Sequence, residues 1–196
     1  MKKTQLFLLV VLAAAQFAVL AAMITGKERV LRDGEEFRFK TRPIDPADPF
    51  CGRYVILNLE ENHIPLPPDE MPTLVHRQVL YAGIATGTNG FARFSGWSRE
   101  RPASGPYLKT RYCGEYCVYD QATKTSIRKG LRIELPFNRF YMDEAKAPRA
   151  ERIVWDSTRD TNCWAAVRIL NGKAVIEDVF VKGRPIRALV AETPAK

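Results

Sequence analysis

The chain has 196 residues, with 30 lysines and arginines against 22 aspartates and glutamates, and it contains four cysteines. This length is enough for one domain with a proper hydrophobic core. The basic residues are spread along the chain instead of forming a block, which argues against a nucleic-acid-binding tail, so no nucleic-acid partner is expected.

The first predicted element is a membrane-spanning helix at the N-terminus. Residues 5–24 carry no charge, and about 19 helical residues cover ~28 Å, close to the ~30 Å core of a bilayer. Lys2 and Lys3 precede this segment and favour a cytoplasmic N-terminus. The charges that follow it, at residues 27–33, are mixed and weaken the orientation signal. We therefore expect a single-pass membrane protein whose C-terminal part lies outside the cytoplasm.

A cleaved signal peptide is the alternative interpretation of this segment. Its apolar stretch is longer than the usual 7–15 residues of a signal peptide, and no clean A-x-A site precedes Gly26. We expect residues 1–26 to form an anchor or signal-anchor and residues 27–196 to form an extracytoplasmic domain. That domain has 28 basic and 22 acidic residues, a formal charge of +6, which favours weak attraction to anionic lipid headgroups.

Period-2 alternation dominates the chain after the N-terminal segment and predicts strands. The first two strands are expected at residues 35–41 and 52–60, with a proline-rich loop at 42–49 between them. Two hairpins are predicted around Asn-Gly turns, because this dipeptide favours the tight turns that join antiparallel strands. Their strands are residues 78–85 with 91–97, and residues 163–170 with 174–181.

The remaining segments complete a mainly β (or α+β) fold, in which one transmembrane helix precedes a compact antiparallel β-rich domain with one short helix. Helix-forming composition, interrupted by Pro148, marks residues 138–156 as the helical segment. A loop is expected at 64–72. Short strands are expected at residues 107–112, 117–119, 131–135 and 186–190.

The four cysteines are candidates for disulfides, because an extracytoplasmic location permits them. Cys113 and Cys117 would be ~13 Å apart in an extended strand, too far to bridge. A turn at Gly114-Glu115 would bring them together. A Cys113–Cys117 bond is therefore one prediction, with Cys51–Cys163 as the remaining pair, although four cysteines allow three pairings and the sequence does not choose among them.

Residues 42–60, RPIDPADPFCGRYVILNLE, resemble the GDYXXLXY family, which is named for a Gly-Asp-Tyr-x-x-Leu-x-Tyr signature. The matching positions are Gly52, Tyr54 and Leu57, and the departures are Arg53 for Asp and Leu59 for the final Tyr. The lead-in at Arg42, Pro43, Asp45 and Pro46 is similar too, as are residues 131–142 and 165–186. The resemblance implies a bacterial, inner-membrane-anchored protein from a family of unknown function.

The segment around this signature is the candidate binding site. Its residues are Arg42, Asp45, Asp48, Gly52, Tyr54 and Leu57. Aspartates in such turns bond nearby backbone N–H groups, so one interpretation is a loop that only holds the fold together. The other is a binding edge for a peptide or for a membrane partner such as a multi-pass membrane protein.

Two functions from different classes follow from these residues. The first is a non-enzymatic binding or assembly module for an envelope partner. The second is an envelope hydrolase whose site includes Arg42, Asp45 and Asp48. The sequence shows no known catalytic motif, so no catalytic residue is assigned. His63 and His76 lack metal-ligand spacing and are interpreted as exposed loop histidines, and no metal or cofactor is expected.

Overall fold

A long apolar helix leads into the folded part of the chain. In a computed structural model, which describes residues 3–42, 54–56, 58–70, 72–121, 124–141, 150 and 163–192, helix α1 spans Lys3–Asp33. Its large apolar side chains from Leu6 to Ile24 are exposed, and it is long and apolar enough to cross a membrane. The predicted N-terminal helix is confirmed, and it continues nine residues past Ile24. The expected domain division at residue 26 stays a prediction.

Twelve strands follow among the described residues. They are β1 (Glu35–Arg42), β2 (Tyr54–Ile56), β3 (Asn58–Leu59), β4 (His63–Pro65), β5 (Val79–Thr86), β6 (Ala92–Ser98), β7 (Tyr107–Asp120), β8 (Thr125–Glu134), β9 (Arg139–Tyr141), β10 (Cys163–Leu170), β11 (Lys173–Val181) and β12 (Arg184–Pro185). A 3-10 helix lies at Pro68–Glu70, and helix α2 spans Ile186–Glu192. The expected β-rich fold with a long N-terminal helix and a short second helix is confirmed.

The strands form two five-stranded antiparallel sheets and one small ribbon. The first sheet has the order β12-β11-β10-β1-β3, and the second has the order β4-β8-β7-β5-β6. Strands β2 and β9 pair with each other as the ribbon. The second sheet is curled, because its two edge strands, β4 and β6, approach each other.

A single hydrophobic core joins the two sheets. Phe39 of β1 is fully buried and contacts Phe137 edge-on, with ring centroids 5.2 Å apart. Its ring also lies 6.4 Å from that of Phe94 on β6. Alternate residues of the strands point inward, as in Leu80, Ala82 and Ile84 of β5, so burial of one face specifies the register.

Both predicted hairpins are confirmed. Strands β5 and β6 pair around Gly90, which has φ +76°, and β10 and β11 pair around Asn171 and Gly172, with φ +51° and +78°. In the second hairpin, φ is positive at both central residues, Asn171 and Gly172, which is the geometry of a type I′ turn. Asn-Gly is the favoured pair for this turn. Gly172 also lies against Tyr107 and Lys109 of β7, where an added Cβ would meet the Tyr107 ring at 2.8 Å.

Three predicted elements differ from the structure. Residues 186–190 belong to helix α2 and not to a strand, and the predicted loop at 64–72 contains the end of β4 and the 3-10 helix. Part of the predicted helix at 138–156 is strand β9. Ala150 of that segment is helical, and most of its remaining residues lie outside the described residues. Of the predicted loop at 42–49, Arg42 belongs to β1 and residues 43–49 also lie outside the described residues.

Candidate functional site

The structure describes two of the six predicted binding residues. Arg42 is the last residue of β1 and pairs with Asn58, and Tyr54 begins β2 opposite Tyr141. The other four, Asp45, Asp48, Gly52 and Leu57, lie outside the described residues. The predicted site and the hydrolase alternative that depends on its aspartates therefore stay predictions.

The predicted turn between Cys113 and Cys117 is wrong. Both cysteines lie in the continuous strand β7, and both are free thiols. In an extended strand they are ~13 Å apart, too far for a disulfide bond. The strand passes Gly114, at φ +136°, through a register shift between Tyr112 and Gly114, and a second shift follows at Tyr116. β-Bulges thus accommodate the glycine without a reversal of the chain.

The predicted Cys51–Cys163 pair includes one residue outside the described part of the chain. Cys163 is a free thiol with 3% of its surface exposed, and Cys51 lies outside the described residues. Burial raises the pKa of the Cys163 thiol, while the Thr41 hydroxyl nearby lowers it by a smaller amount. Burial also raises the pKa of Cys113. Both thiols therefore resist ionisation, which disfavours thiolate chemistry.

An ion-pair network lies where α1 enters the first sheet. Arg168 of β10 donates through Nε to Glu177 of β11 at 2.6 Å, and its Nη2 lies 3.5 Å from the carboxylate of Glu36 on β1. Its Nη1 donates to the carbonyl oxygen of Gly34 at 3.3 Å. One side chain therefore links three strands to the residue that follows α1, and the hydrogen bond to Glu177 is the largest factor that raises the Arg168 pKa. We call this set the junction network.

Aromatic rings continue the same face of the sheet. Trp164 of β10 stacks in parallel on Phe180 of β11, with ring centroids 4.1 Å apart, and the guanidinium of Arg38 lies 4.9 Å from the Trp164 ring. Arg38 is 55% exposed. This cation–π contact covers the tryptophan while the charge stays in water.

Asp178 is a partly buried carboxylate on β11. Its side chain is 15% exposed, it accepts the N–H of Val179 at 2.8 Å, and Arg187 of α2 lies 3.9 Å away. Burial raises the pKa of Asp178, and the Val179 N–H and Arg187 lower it by smaller amounts. Desolvation therefore outweighs the favourable contacts.

We expect the change Asp178→Asn to stabilise the folded protein at neutral pH. The pKa of Asp178 is higher in the folded than in the unfolded state. Ionisation of Asp178 therefore lowers the stability of the folded protein as pH rises from the unfolded-state pKa through the folded-state pKa, whereas an asparagine does not ionise. The gain should disappear well below the ordinary aspartate pKa of about 4, where the carboxyl is protonated in both states. Urea unfolding at several pH values measures it, and a gain that is the same at every pH would contradict the explanation.

The far ends of β7 and β8 form a projecting two-stranded ribbon. Strand β5 pairs with β7 only at Tyr107–Arg111, and β4 pairs with β8 only at Gly130–Arg132. Beyond these pairs, residues 117–120 and 125–128 pair only with each other among the described residues. We call these eight residues the distal hairpin. It exposes Val118 by 41% and Tyr119 by 60%.

A histidine–tyrosine stack lies at the base of the distal hairpin. His63 of β4 lies on the ring of Tyr116, with centroids 3.8 Å apart and planes 15° from parallel. His63 is therefore a half-buried strand residue, and its prediction as an exposed loop residue is wrong, whereas His76 is exposed in a loop as expected. Among the described residues, no group of three or more His, Cys, Asp or Glu side chains is placed to hold a metal ion.

Positive charge is concentrated in the second sheet. Residues 77–134, which contain β5 to β8, have 10 basic and 4 acidic residues, whereas residues 27–76 and 135–196 together have 18 of each. The whole excess of the domain thus belongs to the second sheet and its loops. Neither the spread of single arginines nor the net charge indicated this asymmetry, since it depends on which strands pair.

A comparison with known protein families identifies the family of this chain. Residues 16–179 match the family described as GDYXXLXY protein, so the match begins within α1 and reaches β11. The chain belongs to the GDYXXLXY family. No curated protein and no solved structure matches this GDYXXLXY protein. The function of the family is unknown, so the arrangement of the described side chains carries the functional argument. The candidate membrane helix is compatible with a single-pass anchor.

Proposed function

We propose that this GDYXXLXY protein is a membrane-anchored binding module on the extracytoplasmic side of the bacterial inner membrane, and that the distal hairpin binds an envelope protein. The partner class that best fits a domain held beside the bilayer is a multi-pass membrane protein. The observation that carries the proposal is that residues 117–119 and 126–128 pair as strands only with each other among the described residues. Unpaired edges accept an added strand from another chain.

The exposed side chains support the same assignment. A two-stranded hairpin is marginal in water without a third strand or a packed face, and Val118 and Tyr119 add exposed apolar surface to it. The cross-strand neighbour of Val118 is Ile127, and the two provide apolar contact on one face. Glu115 pairs with Arg128 at 2.9 Å near the base, which leaves the outer part of the hairpin for contact.

The test is site-specific photo-crosslinking in cells. A photoreactive amino acid at Tyr119 is expected to crosslink to an integral membrane protein of the envelope, because this side chain points from the distal hairpin into solvent. The matched control position is Val75, which is 74% exposed in a loop and should give no such product. The change Val118→Asp should lower the yield at Tyr119 several-fold, since a charge disrupts apolar packing.

Two outcomes would overturn the proposal. The first is the absence of any crosslink at Tyr119 when the protein is at its native level in the membrane. The second is equal crosslinking at Val75 and Tyr119, which would indicate random collision. A Val75→Asp variant controls for the added charge and should leave the yield at Tyr119 unchanged.

A further inference from the structure

The register of the first sheet places one turn of the domain beside the membrane anchor. Glu35, the first residue of β1, pairs with Ile169, so Leu170 and the Asn171-Gly172 turn extend past the start of β1, towards α1. The end of α1 contacts both β10 and β11, and Val30 of α1 is only 3% exposed. The turn therefore lies beside the last turns of the helix.

The same turn is bonded to the second sheet. The N–H of Lys109 on β7 donates to the carbonyl of Gly172 at 3.0 Å, and Arg101 donates through Nη2 to Asn171 Oδ1 at 3.1 Å. The Arg101 guanidinium also lies 5.8 Å from the Tyr107 ring. These contacts fix the start of β7 and the preceding loop at the end of the domain where α1 enters.

Three exposed cations surround the turn. They are Arg101, Lys109 and Lys173, which we call the turn patch. Among the described residues, none of the three forms an ion pair with an acidic side chain. Lys109 lies on β7 of the second sheet and Arg101 in the loop before β7, and both belong to residues 77–134, which hold the excess positive charge of the domain. The turn patch therefore presents uncompensated charge next to the anchor.

The distances suit contact with lipid headgroups. From Ile24, the last residue of the apolar segment, to Val30 is six residues, or ~9 Å of helix. The polar layer of a bilayer extends about 5–7 Å beyond the hydrocarbon core on each side. Lysine and arginine side chains are long enough to cover the few ångströms that remain between the domain and the headgroups. The usual helix tilt of about 20° would bring one side of the domain closer to the bilayer.

We infer that the turn patch binds the anionic phospholipid headgroups of the bilayer that α1 crosses, and so holds the domain in one orientation on the membrane. The partner is a negatively charged lipid surface, and the recognition is between phosphate groups and the three cations. The inference rests on the anchoring by α1 but not on the distal hairpin, so it and the partner assignment can fail separately.

The experiment measures lysine reactivity in the full chain. The protein is reconstituted in vesicles of phosphatidylcholine alone or with added phosphatidylglycerol, and an uncharged acetylating reagent labels exposed amines, which mass spectrometry quantifies for each lysine. Lys109 and Lys173 should react about five-fold more slowly in the anionic vesicles, since a basic residue near such a surface gains ~1 kcal/mol. High salt should restore their rates, because it screens the attraction.

Lys124 is the internal control. It is exposed at the far end of the β7–β8 hairpin, roughly 35 Å along β7 from Lys109 at ~3.3 Å per residue, and its rate should not depend on the lipid. The change Arg101→Gln should reduce the protection of Lys109 and Lys173, whereas Arg128→Gln, the same change on the distal hairpin, should not.

Three results would overturn the inference. The first is equal rates at Lys109 and Lys173 in the two lipids at low salt. The second is protection of Lys124 to the same extent, which would indicate attraction of the whole domain. The third is slower labelling of Lys109 and Lys173 in the anionic vesicles that high salt does not reverse, because attraction between the cations and phosphate groups is screened by salt.

Discussion

Replacing Phe39 by alanine is expected to lower the free energy of unfolding by about 3–5 kcal/mol, the usual loss for a buried phenylalanine. Phe39 is fully buried and its ring contacts Phe137 and lies near Phe94 of the opposite sheet. The truncation therefore leaves a cavity where the two sheets meet. Natural domains have only ~5–15 kcal/mol in total, so a large fraction of Phe39→Ala molecules should unfold under mild conditions.

Urea unfolding of the full chain in detergent micelles, followed by near-ultraviolet circular dichroism, measures this loss. The change Phe39→Leu is the matched control, because it keeps most of the apolar volume and should cost about 1.5 kcal/mol or less. If Phe39→Ala lost no more stability than Phe39→Leu, the two sheets would not share the core that the structure shows.

The fold was predictable where a local signal and burial agree. The Asn89-Gly90 and Asn171-Gly172 turns lie between alternating strands, and both hairpins form there because Gly90, Asn171 and Gly172 adopt the positive φ that these turns need. The N-terminal helix was predictable from length and apolarity alone. These signals depend on neighbours in the sequence and not on distant contacts.

Strand β7 shows where local signals fail. Gly114 and Glu115 indicated a turn, yet the chain continues through two register shifts because β8 provides hydrogen bonds on its far side. The C-terminal segment is a second example. Residues 186–190 have strand-forming composition, but Ile186 and Val190, four residues apart, are both buried, which is the spacing of one helix face. Tertiary packing overrides propensity in both segments.

The functional surfaces were harder to predict than the strands. The resemblance predicted a site that includes Arg42 and Tyr54. The structure places Arg42 in the first sheet and Tyr54 in the β2–β9 ribbon. The distal hairpin and the turn patch depend on where neighbouring strands end, which requires the register. Of these features, only the pair Val118-Tyr119 can be recognised in the sequence, as two successive apolar residues within a strand.

Replacing Arg168 by methionine is expected to cost about 1–2 kcal/mol and to loosen the attachment of α1. Methionine keeps most of the apolar stem but removes the donors to Glu177 and to the Gly34 carbonyl. Two carboxylates, Glu36 and Glu177, then face each other without the guanidinium between them. Because both are 36–41% exposed, water compensates part of the loss.

Two measurements separate the expected effects of Arg168→Met. Urea unfolding gives the stability, and amide hydrogen exchange at residues 31–36 reports the junction, where faster exchange is expected even in conditions that leave the core folded. The control is Arg184→Met, which removes the ion pair of Arg184 with Glu192, side chains 53% and 61% exposed. It should cost less than ~0.5 kcal/mol and leave that exchange unchanged.

The comparison of these two arginines decides whether α1 is coupled to the domain or only tethered to it. If Arg168→Met and Arg184→Met had the same small effect, the junction network would be ordinary surface pairing, and the domain would rotate freely on its anchor. If Arg168→Met alone accelerates exchange at residues 31–36, the helix and the first sheet move as one unit. A tilt of α1 in the bilayer would then be transmitted to the turn patch, because Arg168 and the Asn171-Gly172 turn lie at the same end of β10.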